Sequence, residues 1–406
     1  MPRRYRWLIL ALALAPVFLW QQPGLGSGFA LYEDGARASS LGGAVVGRAD
    51  DLSALFYNPA GITQLPGLQV MAGFTAIMPN ADLATHLGPF TAQNKMKPDV
   101  FFPPHLYGSY QVSQRLWLGL GIFAPFGLGV EFNPNWPGRV NNIKTAISSL
   151  DINPNIALKV TEQLSLAAGF DAMYFNFYMR RALPLPVLGF QDTSLKGDSW
   201  GYGFNTALHF KPADFLALGI SYRSQVRQSV PADARFTPAS VLNADAQGSV
   251  ILPDMIFTGL MARPIPRLSL EAGFIWTHWQ LFRQLDFKFN NPLGTLSEPK
   301  HWHDTWRWQF GAEYRVADWL DLRAGYAFDQ EPIPSRYADF IVPGSDRHFF
   351  SVGPGFRWRQ FTLDLSYTYM FMADKNITSS NAFGFVPATY QDRHAHLLGV
   401  SLGYKY

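Results

Sequence analysis

The chain has 406 residues, of which 48% are hydrophobic, 15% are aromatic and none is cysteine. Without cysteine a disulfide framework is excluded, so stability has to come from packing or from a closed, hydrogen-bonded sheet. The excess of 33 Lys+Arg over 30 Asp+Glu is explained by three arginines in the first 26 residues, where no acid occurs. The remaining chain is formally neutral and has no clustered basic face, which excludes nucleic acid as a partner.

The N-terminus has the pattern of a secretory signal peptide. A basic start precedes an apolar run over residues 7–20, which is too short to cross a bilayer core comfortably. The small residues Gly24 and Gly26 suit cleavage before Ser27. We therefore predict a signal peptide over residues 1–26, with an uncleaved anchor as the alternative.

Residues 27–67 differ from the rest because they are rich in Gly, Ala and Ser and do not alternate between polar and apolar positions. Lone helices from such a segment would be marginal in water. We expect a compact, partly helical N-terminal plug, or hatch, that packs inside something larger.

The rest of the chain alternates with the period of a β-strand. In residues 361–371 the odd positions are apolar or aromatic and most even positions are polar, and residues 306–316 and 398–406 behave alike. One face suits lipid and the other a wet interior, while aromatic segment ends match an interfacial girdle. A soluble β-sandwich also alternates, but it rarely places so many Trp and Tyr at segment ends.

Counting such segments predicts an all-β transmembrane barrel of about fourteen antiparallel strands over residues 68–406. Short turns are expected on the periplasmic side and longer Pro-rich connections, including residues 184–198 and 330–345, on the outer side. The predicted strands cover residues 68–78, 105–113, 115–124, 150–160, 164–180, 199–211, 215–226, 248–263, 267–289, 304–316, 319–329, 345–359, 361–373 and 393–406.

Several short motifs, taken together and in order, resemble the FadL/TodX family of outer-membrane long-chain fatty-acid and hydrocarbon transporters. They are Ser27-Gly28-Phe29, Gly42-Gly43-Ala44, Ala49-Asp50-Asp51, Asn58-Pro59-Ala60, Leu252-Pro253-Asp254-Met255, Trp276-Thr277-His278-Trp279, Asp304-Thr305-Trp306-Arg307, Ala327-Phe328-Asp329 and Asp346-Arg347.

The resemblance implies a monomeric barrel in the bacterial outer membrane, plugged by a hatch and in contact with membrane lipid and lipopolysaccharide. It implies passive, ligand-gated diffusion of hydrophobic molecules, foremost long-chain fatty acids, with sideways release through a kinked third strand. Neutral aromatic or aliphatic hydrocarbons are the alternative cargo. No catalytic residue, metal or cofactor is expected.

The strand that begins at residue 164 offers the candidate ligand-binding face. One set of alternate positions suits lipid, so the opposite set should point inward. That set includes the apolar residues Met173, Phe175, Phe177 and Met179 and ends at a cation, Arg181, which could meet a carboxylate.

The resemblance adds two points about this pocket. In fatty-acid-transporting members an arginine eleven residues after the Phe of Gly-Phe-x-Ala-x-Tyr contributes to the pocket, and here Phe170 leads to Arg181. The mature N-terminus of the family reaches the ligand, which implicates Phe29. The alternative for Arg181 is a position at the barrel rim, with its side chain extending to lipid headgroups.

One position departs from the family pattern. The second pocket cation of the family, a lysine six residues before the Asp of Asp-x-aromatic-Arg, falls on Glu298. Lys300 lies nearby but requires a shifted register. This departure weakens the expectation of a carboxylate ligand and favours a neutral hydrocarbon.

Two backbone features could govern opening. Asn58-Pro59-Ala60 defines a rigid turn that either only stabilises the plug or anchors it to the barrel wall. Proline and glycine weaken strand pairing, so Pro125, Gly127 and Gly129 mark either a kink that opens the wall or an ordinary strand end.

Two other functions remain open from the sequence. A lipid-acting outer-membrane enzyme would need a serine with a histidine partner near the membrane rim. A general porin would need an open aqueous pore, which a plug and an apolar inner face disfavour. The histidine pairs at 301/303 and 394/396 are only weak metal signals.

Overall fold

The computed structural model of the chain describes residues 28–342, 344–377 and 386–406. The predicted signal peptide lies outside the described residues. Within the described part no helix has the length and apolar character needed to cross a membrane. Twenty-one β-strands join in a single sheet.

The strands run in chain order with these bounds: β1 (Leu68–Leu87), β2 (Phe90–Lys95), β3 (Pro104–Gln111), β4 (Leu116–Phe123), β5 (Gly127–Glu131), β6 (Lys144–Lys159), β7 (Leu164–Leu185), β8 (Gly189–Ala213), β9 (Leu216–Arg223), β10 (Val226–Thr237), β11 (Ala244–Leu252), β12 (Met255–Ile265), β13 (Leu268–Thr277), β14 (Gln284–Phe289), β15 (Thr295–Pro299), β16 (Thr305–Ala317), β17 (Leu320–Asp329), β18 (Arg347–Trp358), β19 (Phe361–Met372), β20 (Lys375–Ile377) and β21 (Ala388–Lys405).

The sheet closes on itself, because β21 pairs antiparallel with β1 and β1 with β3. Five spans of the wall are each interrupted once, so that β4 and β5, β9 and β10, β11 and β12, β13 and β14, and β15 and β16 make one span per pair. The short strands β2 and β20 only extend the ends of β1 and β21, with which they pair, and are not spans of their own. The barrel therefore has fourteen antiparallel spans, as predicted. Closure leaves no free sheet edge around the ring as a whole.

Side chains alternate between the two faces of the wall. Along β7, Leu166 and Phe170 are exposed on the outside, whereas Met173 and Phe175 are buried inside. The outward residues of neighbouring strands are also large and apolar, as a lipid-facing surface requires. The alternation read from the sequence is confirmed on this strand.

The N-terminal segment, residues 28–67, lies in the lumen. It forms two short helices, α1 (Ala36–Ser40) and α2 (Ala54–Tyr57), and a 3-10 helix over Pro59–Gln64. Their side chains are almost all buried, since α1 packs against β17, β18, β19 and β21 and the 3-10 helix against β4, β6, β7 and β8. A segment that contacts opposite sides of a closed wall fills its interior.

Several strands extend beyond their predicted bounds. Residues 189–198, expected in a connection, belong to β8, and β1 and β6 are also longer than expected. In residues 191–198 polar residues stand on both faces of the strand, so the alternation of polar and apolar positions that predicts a strand disappears. The seventh to tenth spans are each interrupted, and the sequence marks these interruptions only by Pro253 and by the loss of alternation in residues 299–304.

Candidate ligand-binding site

An apolar cavity lies between the N-terminal segment and the inner wall. Its volume is about 50 Å³, and aromatic and aliphatic side chains dominate its lining, the aromatic ones including Phe29, Phe175, Phe177, Phe282 and Trp302. For comparison, a cavity of about 150 Å³ lined by aliphatic and aromatic side chains can bind benzene. The structure therefore represents a nearly filled site, and a ligand of several carbons requires side chains to move.

Phe29 closes one end of this cavity. Its ring lies 5.0 Å from that of Trp279, 5.9 Å from that of Phe282 and 6.0 Å from that of Trp302, measured between centroids. The pairs with Trp279 and Phe282 are edge-on, a favourable aromatic arrangement. The first described residues of the chain are thus built into the ligand-binding region.

The structure brings some of the predicted site residues together and separates others. Phe29, Phe175 and Phe177 all line the cavity, whereas Met173 and Met179 are buried inside the barrel without lining it. Met173 and Met179 do not reach the cavity because it extends from β7 toward β10, β11 and β14, whose side chains line it instead.

Arg181 belongs to a buried cluster of four charges. It is 1% exposed and its guanidinium donates to the carboxylate of Glu298. Lys300 Nζ donates to Glu298 Oε2 at 3.2 Å and also to Asp339. The rim position for Arg181 is therefore wrong, and both cations of the cluster already have carboxylate partners.

Lys300 and Asp339 also line the cavity, so the charge cluster forms its polar end. Burial lowers the pKa of Lys300, but the nearby carboxylates of Asp339 and Glu298 outweigh it, and the net shift is upward. Lys300 therefore stays charged and paired at neutral pH. From the sequence, Lys300 could be considered as the second pocket cation only if the register of the family pattern were shifted.

The outer loops cover this region. Asn142 Nδ2 donates to the Phe340 carbonyl at 2.8 Å, the Phe340 amide donates to Asn141 Oδ1 at 2.8 Å, and the Trp136 ring lies 4.8 Å from that of Phe340. Ile341 and Val342, next to this contact, line the cavity. No periodic signal marks residues 330–342 in the sequence, which is why this lining was missed.

The third span breaks where the sequence suggested. β4 ends at Phe123 and β5 begins at Gly127, with Pro125 between them and Gly129 inside β5. Beyond the break, β5 pairs with β6, and among the described residues it has no paired strand on its other side.

The beginning of the N-terminal segment occupies this break. The Leu31 amide donates to the Pro125 carbonyl at 2.9 Å, and the Gly127 amide donates to the Phe29 carbonyl at 2.8 Å. A further bridge joins Ala30 to Phe126. The same residue, Phe29, therefore borders both the cavity and the break.

Asn58 connects the N-terminal segment to the wall. It is fully buried, and its Nδ2 donates to the Val46 carbonyl at 2.9 Å and to the Leu208 carbonyl of β8 at 3.1 Å. A Cβ at Gly219 on β9 would lie 2.5 Å from this amide nitrogen, so only glycine permits the close approach. Pro59 opens the 3-10 helix and Ala60 is buried within it.

Ion pairs hold the segment further down. Glu313 of β16 accepts from Arg37 at 3.0 Å and from Arg323 of β17 at 2.7 Å, and it forms an ion pair with Arg48 at 3.0 Å. Glu271 of β13 accepts the Gly47 amide at 2.6 Å. These groups are mostly buried, and each arginine also pairs with a second carboxylate: Arg37 with Asp50, Arg48 with Glu271 and Arg323 with Asp364.

Asp34 lies beside the break in the third span. It is 3% exposed, and one carboxyl oxygen has no hydrogen-bond partner within the described residues. Burial first, and then the charge of Glu33, raises the pKa of Asp34 to about 8, despite a hydrogen bond from the backbone of Ala124. The folded protein therefore keeps this carboxyl mostly protonated at neutral pH.

No group of three or more His, Asp or Glu side chains suited to a metal ion occurs in residues 28–342, 344–377 and 386–406. His105 Nε2 lies 2.8 Å from Ser401 Oγ, but both residues are buried in the lumen, and Ser401 Oγ also accepts the Ala36 amide. The pair fixes α1 to the wall.

A closed fourteen-span barrel with lipid-facing aromatic residues, a filled lumen and an internal apolar cavity defines an outer-membrane β-barrel of the plugged type. The family described as outer membrane protein transport protein (OMPP1/FadL/TodX) matches residues 20–406. The chain belongs to this family of outer-membrane transporters for hydrophobic compounds, which consists of transport channels.

Individual relatives cover nearly the whole chain. The long-chain fatty acid transport protein of Escherichia coli O6:H1 is 24% identical over 89% of this chain and 90% of its own length. A Pseudomonas aeruginosa FadL homologue superimposes with a TM-score of 0.83 at 22% identity, covering 93% of this chain and 99% of the homologue. The toluene transporter TodX of Pseudomonas putida gives a TM-score of 0.72 at 17% identity over 94% and 100%.

Proposed function

We propose that the chain carries a hydrophobic small molecule passively through the cavity lined by Phe29, Phe175 and Phe177, and releases it sideways at the break in the third span. The observation that carries this proposal is that Phe29 borders both places. A shift of this one residue would enlarge the cavity and unblock the break together. A monomer suffices for this route, because cavity and break lie in one barrel.

We further propose that the preferred cargo is uncharged. Arg181 and Lys300 would be the partners of a carboxylate, yet Glu298 and Asp339 already neutralise them. A carboxylate ligand would have to displace one of these acids or leave an acid unpaired in a buried site, which is costly. A neutral hydrocarbon fills the apolar lining without disturbing the cluster.

A fatty acid is the second candidate, which the sequence resemblance placed first. Its support is that Lys300 lines the cavity and that its contact with Asp339 comes from a loop, which could move aside. Relatives point both ways, since one is named as a long-chain fatty acid transport protein and another as a toluene transporter.

In this proposal the rest of the N-terminal segment stays in place as a hatch, anchored by Asn58 to β8. The contact between Ser401 and His105 does not favour lipid-acting catalysis, because both residues are buried and enclosed by α1 and the wall. A filled lumen likewise disfavours a general porin.

The substitution Glu298→Gln separates the two cargo candidates. It removes the acid that Arg181 and Lys300 share, so the affinity for a long-chain fatty acid should rise, whereas the affinity for a neutral aromatic hydrocarbon should change little. We expect about a tenfold gain for the fatty acid, which corresponds to about 1.4 kcal/mol. Equilibrium binding to the purified protein in detergent measures both ligands.

The matched control is Glu162→Gln, on an exposed turn where Glu162 pairs only with Lys159. Tight binding of fatty acid by the unmodified protein, unchanged or weakened in Glu298→Gln, would reverse the order of the two cargoes. Binding of neither ligand by any variant would refute the transport proposal itself.

A further inference from the structure

A second discontinuity in the wall lies between the eighth and ninth spans. Above it the last paired residues are Ser249 of β11 and Asp286 of β14, and below it the first are Met255 of β12 and Thr277 of β13. Among the described residues, no ladder pair joins residues 250–254 to residues 278–285.

The lower end of this gap is closed by one residue pair. The His278 amide donates to the Asp254 carbonyl at 3.0 Å, and His278 Nδ1 lies 2.9 Å from Asp254 Oδ1. Beyond it the chain turns inward as a 3-10 helix over Trp279–Leu281, and the Trp279 side chain is fully buried. The strand that should fill the wall is thus diverted into the lumen.

The apolar cavity reaches both edges of this gap. Val250 on one edge and Phe282 and Leu285 on the other edge line it. Ser249 lines it too, although Ser249 is exposed on the outer face. Gly248 next to it also lines the cavity and has no side chain.

A different unpaired stretch, between β8 and β10, is tightly closed. There β8 residues 198–203 face β10 without ladder pairs, but a Cβ at Gly201 would lie 2.6 Å from atoms of both Val226 and Gln228. At Gly248 the nearest atoms lie 3.8 Å from such a Cβ. The two gaps therefore differ in packing, and only the gap between the eighth and ninth spans is flanked on both edges by the cavity.

We infer that this gap is a second lateral opening of the same cavity, through which hydrophobic cargo enters from the outer-leaflet interface. The inference rests on the proposed function and adds a separate entrance to the exit at the third span. Trp276, stacked on His278 with ring centroids 5.1 Å apart, marks the aromatic girdle at this level. Cargo that partitions into the interface would meet the gap directly, without crossing the outer loops.

A pair of cysteine variants tests the opening, since the chain has no native cysteine. Ser249→Cys places a thiol at the edge of the gap, and Ser229→Cys places one on its outward-facing ladder partner in β10. Both serines are exposed, but Ser229 does not line the cavity. Each variant is reacted with a bulky, membrane-impermeant thiol reagent and reconstituted, and the loading of a fluorescent neutral aromatic hydrocarbon is followed by stopped flow.

We expect the adduct at position 249 to slow loading about tenfold, which corresponds to a barrier higher by about 1.4 kcal/mol. The adduct at position 229 should leave the rate unchanged. Bound hydrocarbon should also slow the reaction of the thiol at 249 and not that at 229. Gly248→Val, which adds a side chain where there is room for one, should slow loading without any reagent.

Equal loading rates for both adducts and for Gly248→Val, in a protein that does load the hydrocarbon, would overturn the second opening. So would an effect at 229 in place of 249, which would assign the route to the gap between β8 and β10. If the unmodified protein fails to load the hydrocarbon at all, the proposed function fails, and this outcome is distinct from the others.

Discussion

The two ends of the N-terminal segment are attached to the barrel by different kinds of interaction. Its beginning, residues 29–31, is held by aromatic packing and by two backbone hydrogen bonds at a broken strand. Its later part is held by buried ion pairs through Arg37 and Arg48 and by the amide of Asn58. Apolar packing is not directional, whereas separating buried ion pairs leaves charges without partners.

This difference indicates how a plugged barrel can open without losing its plug. The apolar beginning can exchange its neighbours for a ligand of similar character at small cost. The charged part cannot leave its partners without exposing several uncompensated charges in a buried site. In the proposed route the segment therefore combines a mobile gate, centred on Phe29, with a fixed hatch.

The largest effect is expected from breaking the fixed part. In Glu313→Gln, Arg37, Arg48 and Arg323 all lose a charged partner in a buried site. We expect the free energy of unfolding to fall by about 3 to 5 kcal/mol. Guanidinium unfolding in lipid vesicles measures it, and planar-bilayer recordings should reveal an aqueous leak.

The control is Asp318→Asn, in the exposed turn between β16 and β17. It should change neither stability nor conductance. A Glu313→Gln protein that is as stable and as tightly sealed as the unmodified one would contradict the fixed attachment of the hatch.

A smaller and more local effect is expected from a substitution in residues 29–31, the apolar beginning of the N-terminal segment. Phe29→Ala removes the ring between the cavity and the third-span break, at a packing cost of about 3 kcal/mol for a buried Phe. Because the ion pairs remain, hydrocarbon release should become about tenfold faster. Stopped-flow exchange of a fluorescent hydrocarbon measures the rate.

Phe215→Ala is the matched control, because Phe215 is 60% exposed on a turn far from the cavity. Its release rate should equal that of the unmodified protein. If Phe29→Ala released cargo no faster than Phe215→Ala, Phe29 could not be the gate.

The strands of the barrel wall could be predicted from the sequence, because polar and apolar residues alternate along each lipid-facing strand. Leu166, Phe170 and Met173 could be assigned to their faces from position alone. The pairing of Arg181 with Glu298 could not, because the two residues are 117 positions apart and meet only when the barrel closes. The sequence marked Glu298 as unusual but could not reveal that it neutralises Arg181.

The gate was also only half predictable. Pro125 and Gly127 predicted an interruption of the third span, since neither residue favours strand pairing. That Phe29 and Leu31 would bond to the broken strand depends on where the lumen places the beginning of the segment. The gap between the eighth and ninth spans contains Pro253, but one proline does not set it apart, since β6 and β10 also contain proline.

The last effect is a dependence of stability on pH through Asp34, which lies beside the break in the third span. In the folded protein its pKa is about 8, raised from 3.8 mainly by burial, so the folded state keeps a proton that the unfolded state releases above pH 4. Stability should therefore decrease as pH rises from about 4 to about 8, by at most about 1.4 kcal/mol per pH unit for one proton. Asp34→Asn, which is neutral at every pH, should lose this decrease, whereas Asp318→Asn should retain it. Unfolding midpoints at pH 5 and pH 9 compare the three proteins, and an undiminished pH dependence in Asp34→Asn would assign the effect to other groups.

Because Asp34 contacts the backbone of Ala124 beside the break, its ionisation above pH 8 should also speed hydrocarbon release. Release rates of Asp34→Asn therefore show whether this ionisation is coupled to the proposed gate.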